Sequence, residues 1–350
     1  MRIRPIHPTD IDALQEMARE TGVGFTSLPD NRDFLEAKIV HARAAFDRHS
    51  QGEIAPIDEP ELYFFMLEDD SKEGGGRIAG CCAIEARVGL DTPFYNYRVG
   101  RMSHSSVQLG LHRTIDTLFL SSDHTGDAEV CSLYLRPDYR RDRNGVLLSR
   151  SRWLFMAAFR VLFPERVLAE MRGVIGADNK SPFWECLGRH FFPMDFRDAD
   201  RLTGLGQKSF IGELMPKFPI YTPFLSESAR ACIGQVHEHT RPALAMLKKE
   251  GLRWEGYIDI FDGGPTVESY LDDVIAVRDS RAVMVEVGAS PAATSEEMRP
   301  TWLAANVSTP DDFRAAWVGR GPEENTLLLS SDEAHRLGVT SGDMLRILAS

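Results

Sequence analysis

The stretch LRPDYRRDRNGVLLSRSR (residues 135–152) carries the end of an apolar run, a proline turn, a cluster of arginines, one glycine and the start of a helical pattern. Strand, tight loop and helix in that order leave free backbone N–H groups at the helix start, where they face an anion and flanking guanidiniums add charge-assisted bonds. Ahead of the loop, EVCSLYLRPDY reads as a strand that Pro137 ends. Behind it, residues 145–163 read as a buried helix, with Val146, Leu147, Leu148, Trp153, Leu154, Met156, Ala157 and Phe159 at apolar positions. RVLAEMRGV (166–174) follows as a strand, and SPFWECLGRHFF as a short helix broken at Gly188. Phosphate-cradling loops usually hold two or three glycines, and this one holds a single glycine, Gly145.

Outward from this unit, residues 1–6 read as a strand, and Thr9 as the cap of a helix with Asp12 as its acidic third position. LYFFMLED (62–69) and RIAGCCAIEARVG, joined through Gly74, Gly75 and Gly76, read as an antiparallel hairpin whose glycines form a plain turn, because no helix follows them. Alternation sends Cys81 and Cys82 to opposite faces, as two buried small hydrophobes rather than a redox or acyl-cysteine site. Further on, PALAMLKKEGLRWEGYIDIFD is a helix running into a strand, a weak echo of SPFWECLGRHFF that suggests two related halves. AVMVEVGASPAATSEEMRPTW reads as a connection, and NTLLLSSDEAHRLGVTSGDMLRILAS as strand, capped helix, glycine turn and strand. The expected organisation is a first half over 1–200 with the loop, a second over 201–285, and a small β-rich element over 286–350.

A chain of 350 residues, 43% hydrophobic, buries a large core without disulfides or metals. A net charge of −12 argues against a nucleic-acid partner, although it permits a local basic patch. Five cysteines match neither a disulfide framework nor a zinc knuckle, which fits a reducing compartment. MRIRPIHPTDIDAL lacks the apolar core of a secretion signal, and no later run is long enough to span a bilayer. The expectation is a soluble cytoplasmic protein with no membrane contact.

The order of elements around residues 128–190 resembles the acyl-CoA N-acyltransferase fold, an α/β (α+β) mixed sheet flanked by helices whose loop holds the pyrophosphate of coenzyme A. The resemblance puts Arg140, Arg143, Gly145 and Val146 on that group. At Arg143, either the backbone avoids positive φ or the guanidinium supplies what a close-approaching backbone would have given. Blocks along nearly the whole chain, among them GFTSLPDN, FYNYRVG, LFLSSDHTGDAEVCSLYL, GQKSFIGELMPKFPIYTPFL, IGQVHEHTRPA and YIDIFDGGPT, resemble the arginine N-succinyltransferase family. That resemblance implies succinyl transfer from succinyl-CoA, a co-substrate rather than a resident cofactor, to the α-amino group of L-arginine. It also implies a homodimer or a hetero-oligomer with a related subunit. An acceptor such as ornithine, or a non-catalytic partner subunit, is the alternative.

Within that family His237 matches the proton donor, and an imidazole suits the role. Phe183 and Trp184 cannot donate a proton to sulfur. Glu238 follows His237 where the family usually has proline, and either raises the imidazole pKa or faces water. His239 completes no metal site, and no metal is expected. Leu133 matches a succinyl-CoA position, and its contact is expected from the backbone. For the substrate guanidinium the candidates are Asp259, Asp262 and Glu268, against turn chemistry by Asp262-Gly263-Gly264. For the succinyl carboxylate they are Arg98 and Arg172, against structural salt bridges, and His124 is an alternative base. Direct attack is expected, with no acyl-enzyme.

Overall fold

The structure is a computed structural model that describes all residues except 23, 54–55, 57–58, 72–74, 208 and 289–300. The chain opens with β1 (Arg2–Pro5), α1 (Ile11–Thr21) and α2 (Arg32–Ser50). Next come β2 (Leu62–Asp69), β3 (Arg77–Glu85), β4 (Asn96–Ser106), β5 (Leu111–Ser121) and β6 (Ala128–Leu135). The arginine-rich turn leads into α3 (Asn144–Ala158), followed by β7 (Arg166–Glu170), α4 (Pro182–Cys186), α5 (Phe196–Gly204), α6 (Ser209–Leu214), β8 (Ile220–Tyr221) and α7 (Glu227–Cys232). The chain continues through α8 (Arg241–Lys249), β9 (Arg253–Asp259), β10 (Pro265–Tyr270), α9 (Ile275–Asp279) and β11 (Arg281–Val287). It ends with β12 (Trp302–Asn306), β13 (Arg314–Val318), β14 (Thr326–Leu329), α10 (Ser331–Leu337) and β15 (Met344–Ala349).

These strands form one mixed sheet, ordered β14-β11-β15-β12-β13-β1-β2-β3-β6-β7-β10-β9-β4-β5-β8. Two neighbouring pairs run parallel, β6 with β7 and β11 with β14. The expected α/β class and the β2–β3 hairpin are both present. Gly75 and Gly76 turn that hairpin at φ 58° and 81°, while Gly74 lies outside the described residues.

The α3 sequence has no polar face, because the helix is enclosed. Leu147, Leu148, Trp153, Leu154, Phe155 and Met156 are all buried, and Phe155 meets Phe65 and Phe313 at ring distances of 5.0 and 5.1 Å. Cys82 packs in this core and Cys81 in the opposite one beside α1 and α2, as the alternation requires. A further core holds Trp184 stacked on Phe192, with Tyr97 and Ile258.

Four local readings are corrected. Thr9 caps no helix; the His7 backbone N–H donates to Asp10 Oδ2 at 2.7 Å, and Asp12 pairs outward with Arg32. The strand expected to reach residue 174 ends at Glu170, because the following residues leave the sheet to meet the turn after β9. The helix expected to run to residue 163 ends at Ala158 and gives way to a 3₁₀ turn. Of the stretch 282–302 read as connection, residues up to 287 belong to β11, paired on both sides by β14 and β15, and Trp302 opens β12, while 289–300 lie outside the described residues. The C-terminal reading holds: Ser330 and Glu333 form a reciprocal capping box, and Gly338 ends α10 at φ 69°.

No described helix is long and apolar enough to cross a membrane.

Candidate active site

Where β6 and β7 begin, they pair at Ala128 with Val167 and Glu129 with Leu168, and no further pairing joins them. The strands part, and a cavity of about 180 Å³ opens between them. Its walls include residues 129–133 of β6, 169–172 at and past the end of β7, the 24–27 loop, and 259–262 at and past the end of β9, with Arg152 from α3 and Asp200 from α5. Parting parallel strands expose edge N–H and C=O groups that an extended ligand can bond as a strand would.

The wall of β6 is shaped by a bulge. Pairing with β3 slips between Cys81 and Ala83, and Ser132 sits at φ 51°. The slip swings Leu133 into line with Leu135 against the α3 core while Cys131 faces the other side. Leu133 therefore stands on the cavity wall at an irregular point of the strand, where the backbone is turned out of the ladder.

The loop from β6 to α3 is held from within. Buried Asn144 donates from Nδ2 to Tyr139 O at 3.1 Å, and Arg140 Nε donates to Leu135 O at 3.1 Å. The Asn144 N–H bonds back to Arg141 O, and the first helical i to i−4 bond runs from Leu147 N–H to Arg143 O, so the N–H groups of Gly145 and Val146 belong to the open first turn. Arg143 does adopt positive φ, 62°, with Asp142 beside it at 51°. The first of the two readings for Arg143 is thus overturned: an arginine takes the left-handed conformation that glycine would take at no cost. Its guanidinium lies 4.2 Å from the Trp317 ring centre and donates to Ser350 Oγ, clasping the C-terminal strands rather than capping the helix start.

Arg172 sits half-buried in the cavity, its Nε without a hydrogen-bond partner among the described residues. Burial lowers its pKa, against the pull of Asp262 and Asp200. The His237 backbone N–H donates to Arg172 O at 2.9 Å, which brings the histidine to the cavity rim beside Thr240. His237 Nδ1 accepts from the His239 N–H at 3.2 Å, so the neutral ring carries its proton on Nε2. Burial, Arg172 and His239 lower the His237 pKa, and Glu238 offsets them only in part. Both readings for Glu238 hold: its side chain is 73% accessible, with His239 Nε2 at 3.7 Å, and its charge still pulls the His237 pKa upward.

Asp259 and Asp262 line the cavity but build its floor. Asp259 Oδ1 accepts from the N–H groups of Phe261 and Asp262, and Asp262 accepts from Gly173 at 2.6 Å and Gly264 at 2.8 Å. Gly173 and Gly264 are needed here, since a Cβ on either would run into Asp262 or the Met171 carbonyl. Desolvation raises the Asp262 pKa well above the carboxylate range.

The remaining candidates lie elsewhere. His124 is fully buried, with Nδ1 3.1 Å from Asp127 and Nε2 3.3 Å from Glu268, which in turn pairs with Arg166 at 2.8 Å. Arg98 lies over the Tyr257 ring and is 3.7 Å from Asp123, on the surface. Neither these two nor Glu268 line the cavity.

Sequence reasoning missed Asp200 and Arg152. Asp200 accepts the Gly24 N–H at 3.0 Å, and burial pushes its pKa up to about 6. Asp200 stands among Arg197, Asp198 and Arg201 on α5, and Arg152 beside Arg150 on α3, so neither stands out along the chain, and only the fold joins Asp200 to a loop far ahead of it in sequence.

A family model described as arginine N-succinyltransferase beta subunit matches residues 1–276. An arginine N-succinyltransferase of Yersinia enterocolitica is 46% identical, with 100% of this chain and 97% of that protein covered. One from Escherichia coli is 49% identical, over 99% and 97%. Among solved structures, the arginine/ornithine succinyltransferase subunit AI from Pseudomonas aeruginosa superposes with a TM-score of 0.87 at 34% identity, covering 99% of this chain and 98% of that one.

Proposed function

This chain belongs to the arginine N-succinyltransferase family, whose members are N-acyltransferases, and we propose that it moves the succinyl group of succinyl-CoA to the α-amino group of L-arginine. The observation that supports this most is the cavity where β6 and β7 part, with Leu133 on its wall and His237 bonded to Arg172 at its rim.

In this reading the coenzyme pyrophosphate lies at the open turn of Gly145 and Val146 with Arg140 nearby, and the pantetheine runs between the parted strands. The backbone at Leu133 polarises the thioester carbonyl. Arginine enters from the 24–27 loop. Its ammonium loses one proton to Asp200, whose raised pKa makes it a better base than an ordinary carboxylate. The free amine attacks the carbonyl carbon, the C–S bond breaks, and the second nitrogen proton reaches the departing sulfur through His237. No thiol is needed as a relay: Cys131 lines the cavity, but burial pushes its pKa up and keeps it protonated. Cys82 is likewise pushed up to about 11. Residues 1–200 carry the coenzyme loop, 201–285 the proton donor and 286–350 the β-rich end, and the enzyme works in the cytoplasm as a homodimer or beside a related subunit.

Thiol release by the purified chain with succinyl-CoA tests this, with arginine, ornithine, lysine or no acceptor, and acetyl-CoA as the donor control. Arginine-dependent release from succinyl-CoA is expected. Ornithine exceeding arginine, or no release from folded protein, points to the second reading, which the solved subunit AI favours: a chain of other preference or one that needs its partner.

A further inference from the structure

The geometry points to Arg152 as the residue that recognises the far carboxylate of the acyl donor, an inference that rests on the succinyl-transfer reading above. Arg152 is 1% exposed and lines the cavity from the α3 side. Its guanidinium donates only to Ser149 O, Cys131 O and Ser149 Oγ, each at 3.4 Å, the long limit of a hydrogen bond. Among the described residues it has no carboxylate in ion-pair contact.

Several other part-buried arginines of this chain are paired with carboxylates. Arg4 meets Asp10 at 2.8 Å and Glu68 at 2.7 Å, Arg150 meets Glu250 at 2.7 Å, and Arg166 meets Glu268 at 2.8 Å. For the more deeply buried Arg152, desolvation lowers the pKa, and Glu129 is the one carboxylate whose charge opposes it, without an ion-pair contact. A buried cation without an anion is costly, and it is retained where a ligand supplies the anion. The cavity's other arginine, Arg172, already faces Asp200 and Asp262. Arg98, the earlier alternative for this carboxylate, stands outside the cavity.

The reach fits. Arg152 Nη1 touches the carbonyl of Cys131, and Leu133 lies two residues along the same strand, at most about 7 Å away. A succinyl group places its carboxyl carbon three C–C bonds, about 4 Å, from the thioester carbon, and a charge-assisted bond of about 2.8 Å spans the rest. A planar guanidinium can hold such a carboxylate by two parallel N–H donors.

The test compares wild type with Arg152→Met and Arg152→Lys, using succinyl-CoA and butyryl-CoA with arginine as acceptor. Butyryl has the same chain length, with a methyl in place of the carboxylate. In Arg152→Met the ratio of kcat/KM for succinyl-CoA over butyryl-CoA should fall about 100-fold or more, because the donor's carboxylate is left buried and unpaired. Arg152→Lys, which keeps the charge but not the fork, should recover part of the ratio. Free coenzyme A should bind all three equally by calorimetry, a readout that misfolding would disturb. Without ligand, the melting temperature of Arg152→Met should not fall, since the substitution removes an unpaired charge. A wild-type ratio in either folded variant overturns the inference while leaving succinyl transfer intact. A wild type inactive on succinyl-CoA overturns both.

Discussion

The backbone N–H of His237 donates to the carbonyl of Arg172 at 2.9 Å, so the imidazole and the cavity guanidinium hang from one hydrogen bond between two distant loops. The same closeness lets the Arg172 charge disfavour the imidazolium. The His237 resonance should titrate with a midpoint below 6.5, and the midpoint should rise in Arg172→Met and fall in Glu238→Gln. Nuclear magnetic resonance titration of the ring protons reads all three, and a wild-type midpoint above 6.5 contradicts the account.

Asp200 links stability to pH. Its folded pKa of about 6 stands above the unfolded value of 3.8, so between those values the folded state binds more protons. Stability should therefore decline as pH rises from about 4 to 6, and then level off. Asp200→Asn keeps an acceptor for the Gly24 N–H and removes the charge. It should gain up to about 3 kcal/mol at pH 7 and nothing at pH 3.5, in urea unfolding at the two pH values. The same variant should lose kcat at saturating arginine if Asp200 takes the amine proton.

Gly24 holds φ 82°, and a Cβ there would stand 2.7 Å from both Arg172 Nε and Ile175 Cδ1. Gly24→Ala should displace the loop from Arg172. We expect KM for arginine to rise about tenfold or more, with coenzyme A affinity unchanged in calorimetry. An unaltered KM would place acceptor entry elsewhere.

At Arg143 two substitutions separate backbone from side chain. Arg143→Ala loses the Trp317 stack and keeps the left-handed strain, whereas Arg143→Gly loses the stack and relieves the strain. The glycine variant should be the more stable by about 1 kcal/mol in chemical denaturation. Equal stabilities would mean that the left-handed turn costs nothing here.

The strand-loop-helix unit was legible because proline, glycine and an unbroken apolar helix mark its limits locally. The capped helix that became α10 was legible for the same reason, although the capping box itself is a finding of the structure. Leu133, Arg172, Asp259 and Asp262 were found and do meet at one cavity. The mismatches arise where tertiary partners decide. His124 and Glu268 face each other at 3.3 Å beside Asp127 and Arg166, a juxtaposition between strands that no spacing along the chain announces. Arg152 resembles any helical arginine whose head reaches water, and only the enclosure of α3 shows that it cannot. The strand at residues 281–287 was hidden by the Ser, Ala, Pro and Glu that follow it without periodicity, and only its burial pattern, one face solvated, shows it to be β11.

The placement of β1 bears on how the protein is made. Ile3 lies opposite Leu67 on one side and Ala315 on the other. On the ribosome, the first strand can pair with β2 early, but its second edge stays open until nearly all of the polypeptide has emerged. Throughout synthesis that open edge can recruit strands of neighbouring nascent chains. Expression at low temperature, or with chaperones that shield extended segments, should therefore raise the soluble yield more than any change to the cavity.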